Sequence, residues 1–528
     1  MDAITAYGVA AGGCILLIIL FRIIFSSRVS MLVAYYLTYR FVIKRSRFAG
    51  PWTRAGFISY FVYLIINLLV LALKSRSLVD AARGAGELSL INMTILYTGS
   101  PLSFMADWLG VSIYTYRRIH QAAAWMSGSL MAFHVVVLLF IKWDDFKPGD
   151  FDTIFAIIGA GAIVLILLLS LPFVRDLAFD AFLLGHQGLA GLFIYAMWQH
   201  LPSNSGPRIL IYIMIAVYSL TFIWQLFHAI YRNGILPTRY PMNIGPDRIE
   251  TVPKLSPSFV MRAQLSRPIK VDPGQYVYLR FPGLGLWSWM QSHPFVVTSW
   301  SDQAQSELEF YVQSRQGETA NLLRYLSKGG GATVSLRGLI NGPHGVSKPV
   351  EQYETIVAIA SDSGIAALIP YLRKVVFGYS TSPTHVRQVF VIWHITSGGA
   401  FAMQEDLNEL LNDDLAEEND LLKFHLFIEN GQYKESFSPR AMTYPEAPDY
   451  RAILDDYLSK EYIEKTKLDS STRKELKKDL EKGEKKKGGT IVMVSASTSV
   501  RETVRLVVHD YLNRDVQMLE LEYQPPDE

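Results

Sequence analysis

The chain has 528 residues, of which 50% are apolar, and its formal net charge at pH 7 is +2. This length predicts two or more domains, and the near-neutral charge excludes the broad basic surface typical of nucleic-acid-binding proteins. The single cysteine, Cys14, excludes an intrachain disulfide and any zinc or iron–sulfur site built from cysteines.

Charged residues are sparse in the first 235 positions and frequent afterwards. The sequence therefore predicts an α-helical transmembrane domain over 1–235, followed by water-soluble domains. Apolar runs of the length that a bilayer requires predict about seven transmembrane helices: Thr5–Phe25, Phe57–Leu73, Leu88–Trp108, Ile119–Ile141, Phe151–Val174, Leu177–His200 and Ile209–Ile230.

Basic residues lie in alternate loops between these runs, and loops rich in lysine and arginine stay in the cytosol. The loop after the first run is strongly basic, the loop between Asp144 and Asp152 is acidic, and Arg232 and Arg239 follow the last run. The pattern predicts an integral membrane protein with its N-terminus outside and its soluble domains in the cytosol.

Two of the predicted helices each carry a pair of histidines fourteen residues apart, His120 with His134 and His186 with His200. Fourteen residues make about four helical turns and a rise of about 21 Å, so both imidazoles of a pair face the same way near opposite edges of a bilayer. Two such helices running in the same direction would place His120 beside His186 and His134 beside His200. Paired axial imidazoles inside a helical bundle are what two b-type haems require.

The soluble part changes character twice. Short β-rich runs after Pro237 predict a small antiparallel β-barrel over 240–348. From Thr355 onwards strands alternate with helices, which predicts an open, mostly parallel α/β sheet over 350–528. A densely charged insertion over about 433–488 interrupts this domain, and we assign it no catalytic role.

Two motifs in the barrel carry a resemblance to a known family. Pro273 to Leu279 reads PGQYVYL and Gln291 to Ser299 reads QSHPFVVTS, and both resemble the ferric reductase and NADPH oxidase superfamily, most closely the fungal ferric/cupric reductases. The resemblance implies a ferredoxin-reductase-like module and places cofactor contacts at Gln275, Tyr276, His293, Pro294, Phe295, Val296, Thr298, Ser299, Arg315, Gly317, Thr319, Gly342 and Pro343.

The α/β domain resembles the same family more weakly. The loop from Asp362 to Ala367 resembles a nicotinamide-nucleotide loop with a single glycine, so that Ser363, Gly364, Ile365 and Ser495 are the expected contacts. Ser495 stands where the family has the cysteine of Cys-Gly-Pro. The chain also lacks the terminal aromatic residue of the family, and Tyr523 is the candidate to replace it. NADPH is the donor that the family implies, with NADH as the alternative.

By resemblance, the predicted function is transfer of electrons from cytosolic NAD(P)H through FAD and two haems to an extracellular ferric or cupric chelate. The family implies the plasma membrane, and no side chain is assigned a catalytic role because the cofactors carry the chemistry. A superoxide-generating NADPH oxidase is the first alternative; oxidases of that type carry a further histidine where Leu138 stands here. A non-catalytic haem membrane protein is the second.

Overall fold

A computed structural model gives the fold of most of the chain. The description covers residues 33–43, 51–98, 102–141, 143–145, 147–177, 179–203, 205–233, 244–250, 258–285, 288, 291–314, 317–328, 336–381, 385–396, 403–416, 421–429, 441–458, 489–521 and 523. These residues form two compact units that divide between His228 and Ala229. The predicted first span, Thr5–Phe25, lies outside the described residues.

The first unit is built from α-helices. Five of its described helices are long and apolar enough to cross a bilayer. Its core contains side chains of five helices, among them Leu88, Met126, Ile163, Phe193 and Ile211. A short antiparallel pair of strands, β1 (Phe41–Ile43) and β2 (Trp52–Thr53), precedes the helices. The helices are α1 (Arg54–Lys74), α2 (Leu78–Met93), α3 (Ser103–Leu109), α4 (Ile113–Ile141), α5 (Phe151–Leu169), α6 (Pro172–Leu177), α7 (Phe179–His200) and α8 (Gly206–Asn233).

The predicted third span, Leu88–Trp108, is not one helix. Helix α2 begins ten residues earlier, at Leu78, where the Ser77 hydroxyl accepts a hydrogen bond from the Asp80 amide at 3.1 Å. It ends at Met93 and a single 3₁₀ turn follows. The predicted fifth span also ends early, because α5 stops at Leu169 and a separate short helix follows. The predicted count of seven spans is therefore not confirmed.

The second unit begins with antiparallel strands, as the short β-rich runs predicted. They form two three-stranded sheets, in the orders β3-β4-β7 and β6-β5-β8. Side chains from both sheets, including Phe259, Val277, Phe295 and Phe310, share one core. The strands are β3 (Ile244–Glu250), β4 (Ser258–Ile269), β5 (Tyr276–Arg280), β6 (His293–Val296), β7 (Gln305–Gln313) and β8 (Leu339–His344), with helix α9 (Glu318–Lys328) after β7.

A six-stranded sheet follows in the order β12-β11-β10-β9-β13-β14, and every neighbouring pair is parallel. This is the open sheet that the strand–helix alternation predicted. Its elements are β9 (Thr355–Ser361), α10 (Ile365–Thr381), β10 (Gln388–Ile395), α11 (Gln404–Ala416), β11 (Leu422–Ile428), β12 (Ala441–Tyr444), α12 (Tyr450–Leu458), β13 (Thr490–Ser495), α13 (Thr498–Tyr511) and β14 (Val516–Glu520).

Part of the segment predicted as a charged insertion belongs to this sheet. Strand β12 pairs with β11, with Phe424 opposite Ala441 and Phe427 opposite Tyr444. Helix α12 follows and buries Leu454. The pairing partner lies more than ten residues away along the chain, so local periodicity gave no sign of it. The lysine-rich stretch over 460–487 lies outside the described residues.

Candidate cofactor sites

The four spaced histidines meet in pairs between α4 and α7. The ring centroids of His120 and His186 are 6.4 Å apart, with the ring planes inclined by 45°. An imidazole nitrogen binds a first-row metal at about 2 Å, which puts two imidazoles on opposite sides of one ion with centroids roughly 6 Å apart. The separation of His120 and His186 thus fits a single metal ion held between them.

The second pair lies about four turns away along the same two helices. The Nδ1 atom of His134 is 2.8 Å from the Ala82 carbonyl oxygen, and that of His200 is 3.0 Å from the Asp152 carbonyl oxygen. A carbonyl can only accept, so each Nδ1 carries the proton and donates it. The other nitrogen, Nε2, is then left with a lone pair that can bind a metal.

The His120–His186 pair, called the inner pair below, differs in its surroundings from the His134–His200 pair, called the outer pair. The Nδ1 atoms of His120 and His186 are buried and have no hydrogen-bond partner within the described residues. Moreover, the described residues contain no group of three or more histidine, cysteine or acidic side chains that could hold a metal ion. Each pair offers two ligands, so the remaining ligands of an iron would come from a planar cofactor such as a porphyrin.

Gly86 on α2 lies against the ring of His134 in the outer pair. A Cβ atom at this position would lie 2.7 Å from Nδ1 and 2.9 Å from Cε1 of His134. Only a residue without a side chain lets the two helices approach while the imidazole bonds to Ala82. This contact could not be predicted from the sequence, since glycines are common in apolar helices and the partner lies on another helix.

The predicted flavin motifs lie together on one sheet. Strands β5 and β6 pair with Tyr276 opposite Val296 and with Leu279 opposite His293. The side chains of Phe295, Val296, Thr298 and Tyr276 are buried, whereas His293 and Pro294 are partly exposed. Any contact from the buried members to a ligand would therefore run mainly through their backbone groups.

Several predicted flavin contacts have roles within the barrel. The Gln275 side chain accepts a hydrogen bond from the Asp272 amide at 2.8 Å and donates one to the Gly345 carbonyl at 3.1 Å. The Ser299 hydroxyl accepts from the Glu309 amide at 3.1 Å. These bonds hold the turn before β5 and the strand after β6 in place.

The turn that opens α9 lies beside β6. Gly317 has φ of +80°, and Thr319 is in the first turn of the helix, while Arg315 is outside the described residues. Free amides at such a helix start favour anions. Between the two stands Glu318, whose side chain is only 2% exposed and lies 2.8 Å from His293 Nε2.

Glu318 also acts on a second basic group. Burial lowers the pKa of Arg280, and the charge of Glu318 opposes that shift. The role of Glu318 could not be predicted from the sequence, because acidic residues are common in the first turn of any helix. Its contact with His293 and its charge near Arg280 place a buried carboxylate among the basic side chains of this site.

Gly342 and Pro343 end the barrel through strand β8. Gly342 has φ of +133° and is joined to Pro343 by a cis peptide bond. The next residue, His344, packs its ring 6.0 Å from that of Tyr276 and 5.6 Å from that of Tyr278. The two predicted residues therefore lie within β8, at the irregularity between the pairs Tyr278–Asn341 and Tyr276–His344.

The predicted nicotinamide-nucleotide residues meet at the carboxyl edge of the parallel sheet. After β9, a 3₁₀ turn over Asp362–Gly364 leads into α10 at Ile365. A Cβ atom on Gly364 would lie 1.9 Å from the Ser495 carbonyl oxygen, so the two loops are in direct contact. Ser363, Gly364, Ile365 and Ser495 thus surround one edge, where ligands of open parallel sheets bind.

Polar groups that the sequence analysis did not select extend this edge. His394 Nε2 lies 2.9 Å from Glu429 Oε1, and His394 Nδ1 lies 3.3 Å from the Tyr450 hydroxyl. Asp362 accepts hydrogen bonds from the Thr396 amide at 2.8 Å and from its hydroxyl at 2.6 Å. Burial raises the pKa of Tyr450, and the carboxylates of Asp362 and Glu429 raise it further.

Tyr523 does not present its ring to a cleft. It is 8% exposed, its hydroxyl donates to the Tyr311 carbonyl, and the two rings are 5.7 Å apart. The tyrosine therefore fixes the chain end against strand β7. The expectation that Tyr523 replaces a flavin-stacking terminal aromatic is not supported by this placement.

Comparison with known proteins finds a family-model match in the helical part of the chain and another in the β-barrel. Residues 83–197 match the family model of the ferric reductase like transmembrane component, and residues 250–348 match that of an FAD-binding domain. Ferric/cupric reductase transmembrane component 2 of Saccharomyces cerevisiae is 32% identical over 200 residues, which cover 38% of this chain and 26% of that protein.

Two further proteins are similar to part of the chain. NADPH oxidase 3 of Rattus norvegicus is 29% identical over 184 residues, covering 33% of this chain and 31% of that protein. The crystal structure of the Amycolatopsis cytochrome P450 reductase covers 55% of this chain and 71% of its own, with 14% identity and a TM-score of 0.33. The aligned stretches span less than a third of either curated relative.

Proposed function

We propose that this chain, whose residues 83–197 and 250–348 match the two family models, is a member of the ferric reductase and NADPH oxidase superfamily and reduces metal chelates across a membrane. Electrons from cytosolic NAD(P)H would pass through FAD and two b-type haems to an extracellular ferric or cupric chelate. The observation that carries this proposal is the pairing of His120 with His186 at a separation suited to one metal ion.

Each cofactor would be held by groups already described. His120 with His186, and His134 with His200, would supply the axial ligands of two haems, and the motif from His293 to Ser299 with the turn at Gly317 would hold FAD. When bound, FAD accepts an electron pair from the nicotinamide and the haems pass single electrons onward. The carbonyls of Ala82 and Asp152 fix the outer imidazoles with Nε2 free to bind iron.

The direction of transfer follows from charge. The alternation of basic and acidic loops supports a cytosolic position for the nucleotide domains and an outer position for His134 and His200. We place the protein in the plasma membrane, with the bilayer and an extracellular chelate as its partners. The acceptor would be reduced at the outer haem.

A superoxide-generating NADPH oxidase is the second candidate, and the similarity to NADPH oxidase 3 favours it. Leu138, one turn after His134, argues against it, because an apolar side chain offers oxygen no polar partner. A non-catalytic haem protein is the third candidate, which Ser495 in place of the family's cysteine favours.

Purified protein tests the haem sites. A reduced-minus-oxidised spectrum should show two low-spin haems per chain, since each iron has two imidazole ligands. His120→Ala should remove the inner haem and His134→Ala the outer one, while the control His228→Ala should retain both. An unchanged haem content in either of the first two variants would contradict the ligand assignment.

Sealed vesicles test the reaction and its direction. With the nucleotide confined to the cytosolic side, an impermeant ferric chelate outside should be reduced, and superoxide dismutase should have little effect. Loss of reduction upon adding the dismutase would favour the oxidase. Full haem and FAD content without reduction by either nucleotide would favour the non-catalytic protein.

A further inference from the structure

The carboxyl edge of the parallel sheet is unusually acidic where the first three strands in sequence end. Asp362 follows β9, and Glu429 follows β11, with His394 near the end of β10 between them. In folds of this type a carboxylate near the end of a strand accepts hydrogen bonds from the adenosine ribose of NAD, whereas a nearby arginine accommodates the 2′-phosphate of NADP. The charges at this edge therefore bear on the choice of donor.

Glu429 has the geometry of a ribose acceptor. Its side chain is 40% exposed, and one carboxylate oxygen is 2.9 Å from His394 Nε2. His394 is in turn held by the Tyr450 hydroxyl at 3.3 Å from its other ring nitrogen. The contact with this fixed imidazole restricts the rotation of the Glu429 carboxylate. The lone pairs that do not face His394 are therefore held in one direction, where they can accept hydrogen bonds from a ligand.

Asp362 adds a second fixed negative charge. Both of its carboxylate oxygens are held by Thr396, one by the amide and one by the hydroxyl. The backbone of Asp362 is also fixed, since its carbonyl accepts a hydrogen bond from Trp393 Nε1 at 2.8 Å. A phosphate dianion at this edge would meet two carboxylates.

The sequence after β10 offers no compensating cation. Between Arg387 and Lys423 there is no lysine or arginine, whereas eight acidic residues lie between His394 and Leu421. A 2′-phosphate depends on such cations, because charge-assisted hydrogen bonds to arginine or lysine offset its desolvation. The segment that would read the 2′ position thus disfavours a phosphate.

A cavity of about 370 Å³ lies beside β11. His425 and Phe427 line it, and Glu429 lies two residues beyond Phe427, just after the strand. Tyr444 stacks on Phe427 with ring centroids 4.7 Å apart. The carboxylates of Glu446, Asp449 and Asp456 also line the cavity. Aromatic walls with acidic groups suit a neutral purine ring with amino donors and disfavour a phosphate.

We propose that this site selects NADH over NADPH, with Glu429 accepting the 2′-hydroxyl of the adenosine ribose and Asp362 repelling a 2′-phosphate. This inference rests on the proposed function, since it concerns the donor of that reaction. Glu429 is a specificity-determining residue and takes no part in hydride transfer. His394 positions it.

The test uses the full-length protein loaded with haem and FAD. Competition binding should show that 5′-AMP binds at least tenfold more tightly than 2′,5′-ADP, and kcat/KM for flavin reduction should favour NADH by at least the same factor. Glu429→Gln should reduce both preferences several-fold. The control Glu409→Gln removes the same charge from α11, where Glu409 pairs with Arg373, and should leave both preferences unchanged.

Three outcomes overturn the inference. They are equal or tighter binding of 2′,5′-ADP, an NADPH efficiency equal to that of NADH, and preferences in Glu429→Gln that match those of the native protein. Failure of the proposed function is distinct from these, because neither donor would then reduce the flavin, while the preference for 5′-AMP in binding would persist and support the inference.

Discussion

Replacing Gly86 by alanine should damage the outer haem site while leaving the inner one intact. The added Cβ atom would lie 2.7 Å from His134 Nδ1, a separation that real side chains do not tolerate. The imidazole would have to move, and its hydrogen bond to the Ala82 carbonyl at 2.8 Å would be lost. His134 would then no longer hold its Nε2 atom in the orientation in which it would serve as a haem ligand.

The size of the effect follows from two terms. Inserting a methyl group into a packed site costs about 1–3 kcal/mol, and losing the hydrogen bond costs about 0.5–1.5 kcal/mol. Together the two terms come to about 3 kcal/mol, and a loss of that size in haem binding corresponds to a roughly 150-fold weaker affinity. We therefore expect the outer haem to be substoichiometric or high-spin in Gly86→Ala.

Two alanine variants serve as controls. A Cβ atom on Gly188 of α7 would have no neighbour within 4 Å, and one on Gly84 of α2 would only touch Leu71 at 3.4 Å. Haem content by pyridine haemochrome and spin state by low-temperature electron paramagnetic resonance should be native in both. If Gly86→Ala also keeps two low-spin haems, the placement of the His134 ring against α2 is wrong.

Two further variants address the α/β domain. Gly364→Ala would place a Cβ atom 1.9 Å from the Ser495 carbonyl, so nucleotide binding measured by calorimetry should weaken at least tenfold while FAD content stays native; unchanged binding would exclude this turn from the site. Burial lowers the pKa of His425, so the unfolded form protonates first as the pH falls below about 6.5, and stability is lost there. The protection factors of the β11 amides, which correct exchange for its intrinsic pH dependence, should therefore fall from pH 7 to pH 5 in the native protein and fall less in His425→Asn.

The membrane helices that carry the histidines could be predicted because apolar length and helical spacing are local properties of the sequence. Helix α2 could not, because it buries polar residues. Asn92 donates to Asn67 on α1 at 2.7 Å and accepts from the Tyr63 hydroxyl, which makes buried polarity tolerable. Hydropathy counts these side chains as unfavourable and so misplaced the span.

The acidic edge of the nucleotide site was missed for a related reason. Glu429 becomes informative only once β11 is known to pair with β10, with Phe427 opposite His394. Strand pairing joins segments that are distant in sequence, and no periodicity within β11 announces its neighbour. The loop at Gly364, by contrast, follows a strong apolar strand and could be located from the sequence.

The histidine pairs show the same division between local and long-range information. Spacing along one helix sets the depth of each imidazole, and two equal spacings predict which rings meet. It does not set which ring nitrogen carries the proton, because the acceptors for His134 and His200 are carbonyls of α2 and α5. The chemistry of the His134–His200 site therefore depends on helices that carry none of the proposed haem ligands, and Gly86 belongs to the site because its missing side chain keeps one of those helices close.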